Sequence, residues 1–181
     1  MRNLLLFALV LTGTLFTTGC GDDDDGTSIN KEQLVGTWKV TVLDTDADAS
    51  VTGFGASNTV SSISNSTLTI TFLENNTYTS TGSYTETSTT TEAGSAPVTD
   101  VEDFTGGIGN GTWSITGGKL VIDDLETGGE SDVDAPVTFD VRNFVPDAEI
   151  VLFSNVQESF TDPFIGLMID LDADIDMRLE K

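Results

Sequence analysis

The feature that most constrains the fold is a strict alternation of apolar residues near the end of the chain. Every second position there is apolar, in the series Ile165, Leu167, Ile169, Leu171, Ala173, Ile175, Met177 and Leu179. Successive side chains of a β-strand point to opposite faces, so this period of two is typical of a strand with one buried face. The chain is therefore predicted to end on a β-strand that packs one face against a core.

Further strands and two hairpins are predicted upstream. "GTWKVTVLD" places Trp38, Val40 and Val42 on one face, and "VTFDVRNF" and "AEIVLFSNV" show the same period. "STLTITFLENNTYTSTGSYTET" contains the turn residues "ENNT", and "GTWSITGGKLVIDD" turns through "GG", so each predicts a hairpin. No window of comparable length has a helical period. The exception is "INKEQLVG", where Asn30 can cap a single helical turn.

These segments predict an all-β domain of about eight strands, joined mostly by hairpin turns. Meanders of this kind close into a single up-and-down antiparallel β-barrel or, as the alternative, pack as a β-sandwich. Three polar stretches are predicted to be long loops, at residues 44–62, 86–109 and 126–136. The domain as a whole is assigned to residues 30–181.

The N-terminus has the pattern of an export signal. One positive charge, on Arg2, precedes the apolar run "LLLFALVLTGTLF", which is too short to span a bilayer as a helix. Small residues then lead directly into Cys20, the sole cysteine of the chain. This boundary resembles that of bacterial lipoproteins, which implies that residues 1–19 are a cleaved signal peptide and that the Cys20 thiol is lipidated. The alternative is an ordinary secretory signal with an incidental cysteine.

Four consecutive aspartates, at residues 22–25, follow the cysteine almost at once. This arrangement resembles the export signal of surface lipoproteins in one group of Gram-negative bacteria, and it implies an outer-membrane protein that faces the cell exterior. A solvated, disordered spacer is the other interpretation, because adjacent like charges repel and cannot be buried. Both can hold. Residues 20–29 are interpreted as a lipidated anchor with an acidic tether, which makes the membrane a predicted partner.

The composition excludes several classes of function. Asp and Glu number 30 against 7 Lys and Arg, for a formal net charge of −23, and such a surface repels nucleic acid. The chain has no histidine, so Ser-His-Asp and Cys-His catalysis lack their base and the common zinc sites lack ligands. "GGIGNG" has no predicted helix behind it and is not read as a phosphate-binding loop. Carboxylate chemistry alone stays open. No catalytic residue, cofactor or metal is predicted.

Two runs of alternating aspartates raise the question of calcium. Asp44, Asp46 and Asp48 alternate in a predicted loop, and residues 170–176 carry four more on the polar face of the last strand. Neither run has the glycine and glutamate spacing of an EF-hand loop. A solvated strand face whose charges discourage edge pairing is the preferred interpretation. The first run remains a weak candidate for a metal site.

A resemblance to a known family begins at "LVGTW", residues 34–38, where a short turn is followed by Gly-x-Trp at the start of a strand. This resembles the start of the lipocalin fold. The later "GTWSI…GKLVI" hairpin and the terminal "MRLEK" are similar to lipocalin-like domains attached to bacterial lipoprotein anchors. The resemblance covers roughly residues 29–181, although the Thr-Asp-Tyr turn motif of true lipocalins is missing. It implies that Gly36 and Trp38 lie at a closed barrel end, with Arg178 stacked on the indole ring through a cation–π contact.

These inferences lead to two hypotheses. The first is a surface-exposed, lipid-anchored, lipocalin-like protein that binds a small apolar or amphipathic ligand and does not act as an enzyme. The second is a structural or protein-interaction module on a β-sandwich, with no internal ligand. An apolar molecule that stays bound through gentle purification favours the first hypothesis, and an interior tightly filled with side chains favours the second.

Overall fold

The computed structural model describes residues 29–53, 55–125, 136–161 and 167–181. The predicted signal peptide, Cys20 and most of the acidic tether lie outside these residues. Among the residues described, no helix is long and apolar enough to cross a membrane. The elements in chain order are α1 (Lys31–Leu34), β1 (Gly36–Val51), β2 (Gly55–Ser64), β3 (Thr69–Phe72), β4 (Thr77–Thr81), β5 (Ser83–Glu92), β6 (Val98–Thr105), β7 (Asn110–Thr116), β8 (Lys119–Ile122), β9 (Val137–Val145), β10 (Glu149–Thr161) and β11 (Met168–Glu180).

Eight strands form a closed antiparallel barrel. Their order is β1-β3-β4-β7-β8-β9-β10-β11, and β11 pairs with β1 from Lys39↔Glu180 to Val51↔Ile169 to complete the ring. Closure leaves no free edge in this part of the molecule. The predicted barrel is therefore confirmed and the sandwich alternative is not, and the architecture is consistent with a lipocalin-like fold.

The remaining strands, β2, β5 and β6, continue three barrel strands beyond one end of the ring. β2 runs into β3, β4 into β5 and β6 into β7 through short breaks in the pairing. Gly82 forms one of these breaks. Its φ is +117°, and a Cβ there would lie 2.4 Å from the carbonyl oxygen of Thr67, so only glycine fits. The chain is thus an eight-stranded meander in which several strands are longer than the barrel.

We call the part beyond the ring the extension. It is a six-stranded antiparallel sheet in the order β10-β11-β1-β2-β5-β6. It consists of β2, β5 and β6 together with residues 44–51 of β1, 154–161 of β10 and 168–176 of β11. The short strands β8 and β9 do not reach into it: β9 pairs with β10 only at Glu149–Phe153.

Two of the predicted loops are strands of the extension, and this is a correction. Residues 44–62 belong mostly to β1 and β2, which pair from Asp44↔Ser62 to Val51↔Gly55. Residues 86–109 belong mostly to β5 and β6, which pair from Ser83↔Thr105 to Thr90↔Val98. Asp, Ser and Thr give these segments no apolar period, yet backbone hydrogen bonds hold them in a sheet. Of the third predicted loop, residues 126–135 lie outside the described residues.

The other local predictions agree with the structure, with one shift in register. Asn30 caps α1 in a capping box with Gln33, and both predicted hairpins form, as β3–β4 and β7–β8. In β1 an irregularity between Val40 and Val42 moves the buried position from Val42, as predicted, to Leu43. A bulge of this kind changes which residues face inward for the rest of the strand.

The barrel core is filled with side chains. A side chain beside an internal void large enough for water would keep accessible surface, and many core residues keep none. Leu34 of α1 closes one end of the ring. The core residues with at most 1% of their surface accessible are Leu34, Trp38, Val40, Leu68, Ile70, Phe72, Tyr78, Ile108, Leu120, Ile122, Phe139, Ile150, Leu152, Met177 and Leu179.

Candidate functional site

The closed end of the barrel is built around Trp38, as the sequence predicts. Trp38 is fully buried in β1, and its Nε1 donates a hydrogen bond of 2.7 Å to the carbonyl oxygen of Leu34. This bond ties α1 to the first strand and satisfies the indole N–H. Gly36 has a φ of +133°, and a Cβ there would lie 3.5 Å from Cε of Lys181. The end of the chain thus returns to its first strand.

The cation over the Trp38 ring is Lys181 and not the predicted Arg178, which corrects that assignment. Nζ of Lys181 lies 4.8 Å from the ring centre, whereas Nε of Arg178 lies 3.7 Å from Glu149 on the outside of the barrel. Met177 and Leu179 point inward with 1% and 0% of their surface accessible. A residue between them must therefore point outward. The odd-numbered apolar series at the end of the chain could have indicated Lys181.

The inner face of the extension continues the inner face of the barrel. Residues next to the barrel, such as Ser154 and Ile175, are still buried, and those farther out are only half-buried or exposed. Above the buried Ile175, β11 presents Ala173, Leu171 and Ile169 on this face. Neighbouring β1 and β10 add small or apolar residues in register with them. The pairs on this face are Ala47↔Ala173, Ala49↔Leu171 and Val51↔Ile169 on one side and Val156↔Ala173 on the other. Together they form an apolar strip along three strands.

The other half of the inner face is polar. β2 contributes Thr59 and Ser61, and Ser61 shares a 2.7 Å hydrogen bond between hydroxyls with Thr45 of β1. Glu86 of β5 lies opposite Glu102 of β6 in the same register. Burial raises the pKa of the Glu86 carboxyl; the hydrogen bond from Ser61 lowers it, and the Glu102 charge raises it further. The face therefore changes from mostly apolar at β11 and β1 to hydroxyl and carboxylate at β2, β5 and β6. On the other side, β10 adds Val156 and one carboxylate, Glu158, which lies opposite Leu171.

The outer face of the extension carries the two acidic runs side by side. β1 and β11 are neighbours, and their register opposes aspartate to aspartate in the pairs Asp44↔Asp176, Asp46↔Asp174 and Asp48↔Asp172. Directly opposed like charges destabilise a sheet. Burial raises the pKa of the Asp44 carboxyl, and the nearby Asp176 charge raises it further. We call this arrangement the aspartate ladder.

Amide side chains on the flanking strands donate hydrogen bonds to the ladder. Asn155 of β10 donates to Asp172 at 2.7 Å and to Asp174 at 2.9 Å, and Asn58 of β2 donates to Asp46 at 2.6 Å and to Asp48 at 3.1 Å. Within the described part of the chain, no group of three or more His, Cys, Asp or Glu side chains is arranged to hold a metal ion. The outward orientation agrees with the interpretation of a solvated strand face. The proposed guard against edge pairing does not, since β1 and β11 are interior strands of the extension.

A shallow depression of about 470 Å³ lies at the tip of the extension. It is lined by side chains of the ladder and by small residues of β1 and β2, including Asp48, Asp172, Ser50 and Ala56. The depression is open to solvent, and its lining mixes carboxylates with apolar residues such as Ala49 and Leu171, so it differs from the enclosed apolar pockets that bind most small ligands.

Charge is segregated between the two regions. The six basic residues after Arg2 all lie in the barrel or its closing turns: Lys31, Lys39, Lys119, Arg142, Arg178 and Lys181. The extension has none. Its 13 carboxylates are those of Asp44, Asp46, Asp48, Glu86, Glu92, Asp100, Glu102, Asp103, Glu158, Asp170, Asp172, Asp174 and Asp176. The strongest negative potential of the described residues therefore belongs to the extension.

Comparisons with known proteins add no relative to this description. No protein-family model, no curated protein and no solved structure matches the chain. The candidate site is therefore defined by geometry alone: a filled barrel and, above it, an acidic sheet with a half-buried apolar strip. Sequence reasoning placed Trp38 at the barrel end but assigned its cation to Arg178. It missed the extension because β2, most of β5 and β6 were predicted to be polar loops.

Proposed function

We propose that the protein is a lipid-anchored binding protein on the outer surface of the outer membrane, and that the inner face of the extension holds its ligand. The barrel serves as a rigid scaffold. The observation that carries this proposal is the contrast along one continuous face, from Met177 with 1% of its surface accessible to the half-buried Leu171. A filled barrel leaves no room for a ligand among its core residues, which is the interior expected of the structural or protein-interaction module. The extension, in contrast, offers apolar surface that solvent or a ligand must cover.

The chemistry of the inner face defines the ligand class. The apolar strip on β11, β1 and β10 suits a hydrocarbon surface, and the hydroxyls and carboxylates of β2, β5 and β6 suit a polar group that donates hydrogen bonds. Glu86 and Glu102 disfavour an anionic group at that position, because two carboxylates already repel each other there. The ligand is a small amphipathic molecule with a neutral or cationic polar end. The protein binds this molecule and does not transform it.

A neutral fluorescent dye, Nile red, tests the location of the surface. Val156→Thr keeps the shape of a side chain on the apolar strip but replaces a methyl group with a hydroxyl, so dye affinity should fall by roughly tenfold. The matched control is Val60→Thr on the outer face of β2, where the side chain is 46% exposed and affinity should not change. Equal losses in both variants, or no saturable binding in the unchanged protein, would overturn the proposal.

Competition against the bound dye tests the ligand class. Dodecylamine and dodecanoate have the same chain length and opposite charges near neutral pH. The amine should displace the dye at a lower concentration than the carboxylate does. In Glu102→Gln the concentrations at which the two compounds displace the dye should be closer to each other. Stronger displacement by the carboxylate would contradict the assignment of the polar half.

The anchor is tested separately. Cys20→Ala should prevent lipidation, so the protein should move to the soluble fraction or accumulate with its signal peptide uncleaved. Replacing residues 22–25 with asparagine should keep the lipid but reduce digestion by protease added to intact cells. Normal acylation of Cys20→Ala would contradict the anchor proposal. Unchanged digestion of the asparagine variant on intact cells would show that residues 22–25 act as a spacer and not as an export signal.

A further inference from the structure

The chain enters the barrel at its closed end, which is therefore the end nearest the proposed lipid anchor. Ile29, the first described residue, is only 5% exposed and belongs to the barrel core, and α1 follows it across the closed end. An extended chain covers at most about 3.6 Å per residue, so a lipid on Cys20 keeps Ile29 within roughly 30 Å of the bilayer. The far end of the molecule, the extension, has no such restraint.

Two turns at the closed end expose large apolar side chains. Leu73 begins the turn between β3 and β4 and is 40% exposed, and Val145 precedes the turn between β9 and β10 and is 45% exposed. Both turns lie at this end, because Phe72 pairs with Gly36 at the start of β1 and the second turn accepts a backbone hydrogen bond from Lys181. Single exposed apolar residues are common on soluble proteins, so the position of these two beside the chain entry is what gives them significance.

Charge also distinguishes the two ends of the molecule. The extension carries carboxylates and no basic residue, whereas basic and acidic side chains balance at and near the closed end. The basic side chains there are Lys31, Lys39, Lys119, Arg178 and Lys181, and the acidic ones are Glu32, Glu74, Asp147, Glu149 and Glu180. A membrane with anionic headgroups repels acidic surfaces within about a Debye length of 10 Å. The repulsion is therefore least when the closed end faces the membrane and the extension points away from it.

We infer that the closed end of the barrel docks on the membrane that carries the anchor, with Leu73 and Val145 at the boundary between lipid headgroups and acyl chains. β1 has 16 residues, so the tip of the extension then lies on the order of 50 Å from the bilayer surface. The surface proposed to bind the ligand is thus held in the external medium and away from lipid. This inference rests on the proposed anchor, and it deepens the proposed function by giving the anchored protein an orientation.

Quenching of tryptophan fluorescence by lipids with brominated acyl chains tests this orientation, because bromine quenches only at close range. Val145→Trp places a reporter at the closed end, and Val60→Trp places one on the outer face of the extension, where the side chain is similarly exposed at 46%. The native rings of Trp38 and Trp113 are buried, and the unchanged protein measures their background. When the full-length protein is anchored in vesicles of brominated phosphatidylcholine and phosphatidylglycerol, the Val145→Trp reporter should lose fluorescence and the Val60→Trp reporter should not.

Two further measurements test the apolar contact and the charge. Leu73→Glu should reduce quenching of the Val145→Trp reporter, whereas Val101→Glu, the same change on the exposed side chain of β6, should leave it unchanged. Quenching of Val145→Trp should be stronger with phosphatidylglycerol than with phosphatidylcholine alone, and concentrated salt should reduce the difference. Equal quenching of the two reporters, or stronger quenching of Val60→Trp, would overturn the inference.

Mass spectrometry of the same protein separates a failure of the anchor from a failure of the orientation. A lipid on Cys20 together with equal quenching of both reporters would leave the anchor in place and overturn the orientation. An unmodified Cys20 would show that the proposed anchor is wrong. In that case, coupling the Cys20 thiol to a maleimide lipid supplies an anchor at the same residue, and the two reporters test the orientation with the same expected and contradicting results.

Discussion

The barrel and the extension share the strands β1, β10 and β11, and one inner face runs through both. In the barrel this face carries residues such as Phe139 and Leu152 with no accessible surface. In the extension the same face carries Ala47, Thr59 and Leu171, all half-buried, and the outer face carries the aspartate ladder. Continuous backbone pairing therefore does not imply continuous packing. The barrel contains most of the apolar burial, whereas the extension combines little apolar burial with much like-charge repulsion, so the barrel is expected to be the more stable of the two.

The largest expected effect is the loss of stability when an inner-face side chain of the barrel, but not of the extension, is truncated to alanine. Phe139→Ala removes a fully buried ring from the barrel, and the cavity should lower the free energy of unfolding by about 3–5 kcal/mol. Leu171→Ala truncates a half-buried side chain in the extension and should cost about 1 kcal/mol or less. Urea denaturation of the two variants measures both losses. Similar losses would show that the extension is packed as tightly as the barrel.

The next effect concerns the closed end of the barrel. Trp38→Ala and Lys181→Ala should show a coupling energy of about 0.5–2 kcal/mol in a double-mutant cycle, because Nζ of Lys181 lies over the indole ring. Arg178→Ala is the control, since that side chain pairs with Glu149 on the outside, and its effect should add to that of Trp38→Ala. Coupling with Arg178 in place of Lys181 would contradict the observed geometry.

A smaller effect of opposite sign is expected in the aspartate ladder. Asp172→Asn removes one charge from a directly opposed pair with Asp48, and it should stabilise the protein by about 0.2–1 kcal/mol at low salt. Because salt screens exposed charges, the gain should shrink in concentrated sodium chloride. Asp140→Asn in the barrel is the control: it removes the partner of Lys119 at 2.8 Å and should not stabilise. If both variants were more stable than the unchanged protein, the cause would be the lower net charge of the whole protein and not the opposed aspartates of the ladder.

The smallest effect is a pH dependence in the extension. Burial raises the pKa of the Glu86 carboxyl, so the folded protein binds this proton more readily than the unfolded chain does. Stability contributed by Glu86 therefore falls as the pH rises from the ordinary value near 4.5 through the raised folded pKa. The free energy of unfolding of Glu86→Gln, relative to that of the unchanged protein, should therefore rise over that pH interval and stay raised at higher pH. The difference should be below about 1 kcal/mol, since the side chain is only partly buried. A stability advantage of Glu86→Gln that grows as the pH falls would contradict this prediction.

The sequence predicted the barrel well because its strands have an apolar face. The odd-numbered series of β11 and the Gly-x-Trp of β1 predicted the first and last strands and their closure at Trp38. β2 and the second half of β5 were missed because Ser and Thr occupy both of their faces. Long-range backbone pairing, and no side-chain period, makes these segments strands. The shift from Val42 to Leu43 depends on an irregularity that pairing with β11 reveals and that β1 alone does not.

The candidate site was less predictable than the fold. The opposed pairs of the ladder join residues more than a hundred positions apart, and single runs such as Asp44, Asp46 and Asp48 do not indicate that pairing. Within the described residues β8 and β9 end below the extension, so six strands continue above the eight of the barrel, and this is a property of the whole sheet. Lys181 was predictable in principle, since it continues the inward parity of Met177 and Leu179.

The most direct test of the central claim is an electron-density map of the full-length protein purified gently from its native membrane. The division of labour between the two regions predicts ligand density on the inner face of the extension, against Val156 and Leu171, with a polar end toward Glu86. It also predicts that the barrel core around Trp38 and Phe139 contains side chains and nothing else. Ligand density inside the barrel, or a bare inner face in protein that retains its native lipid, would contradict the account.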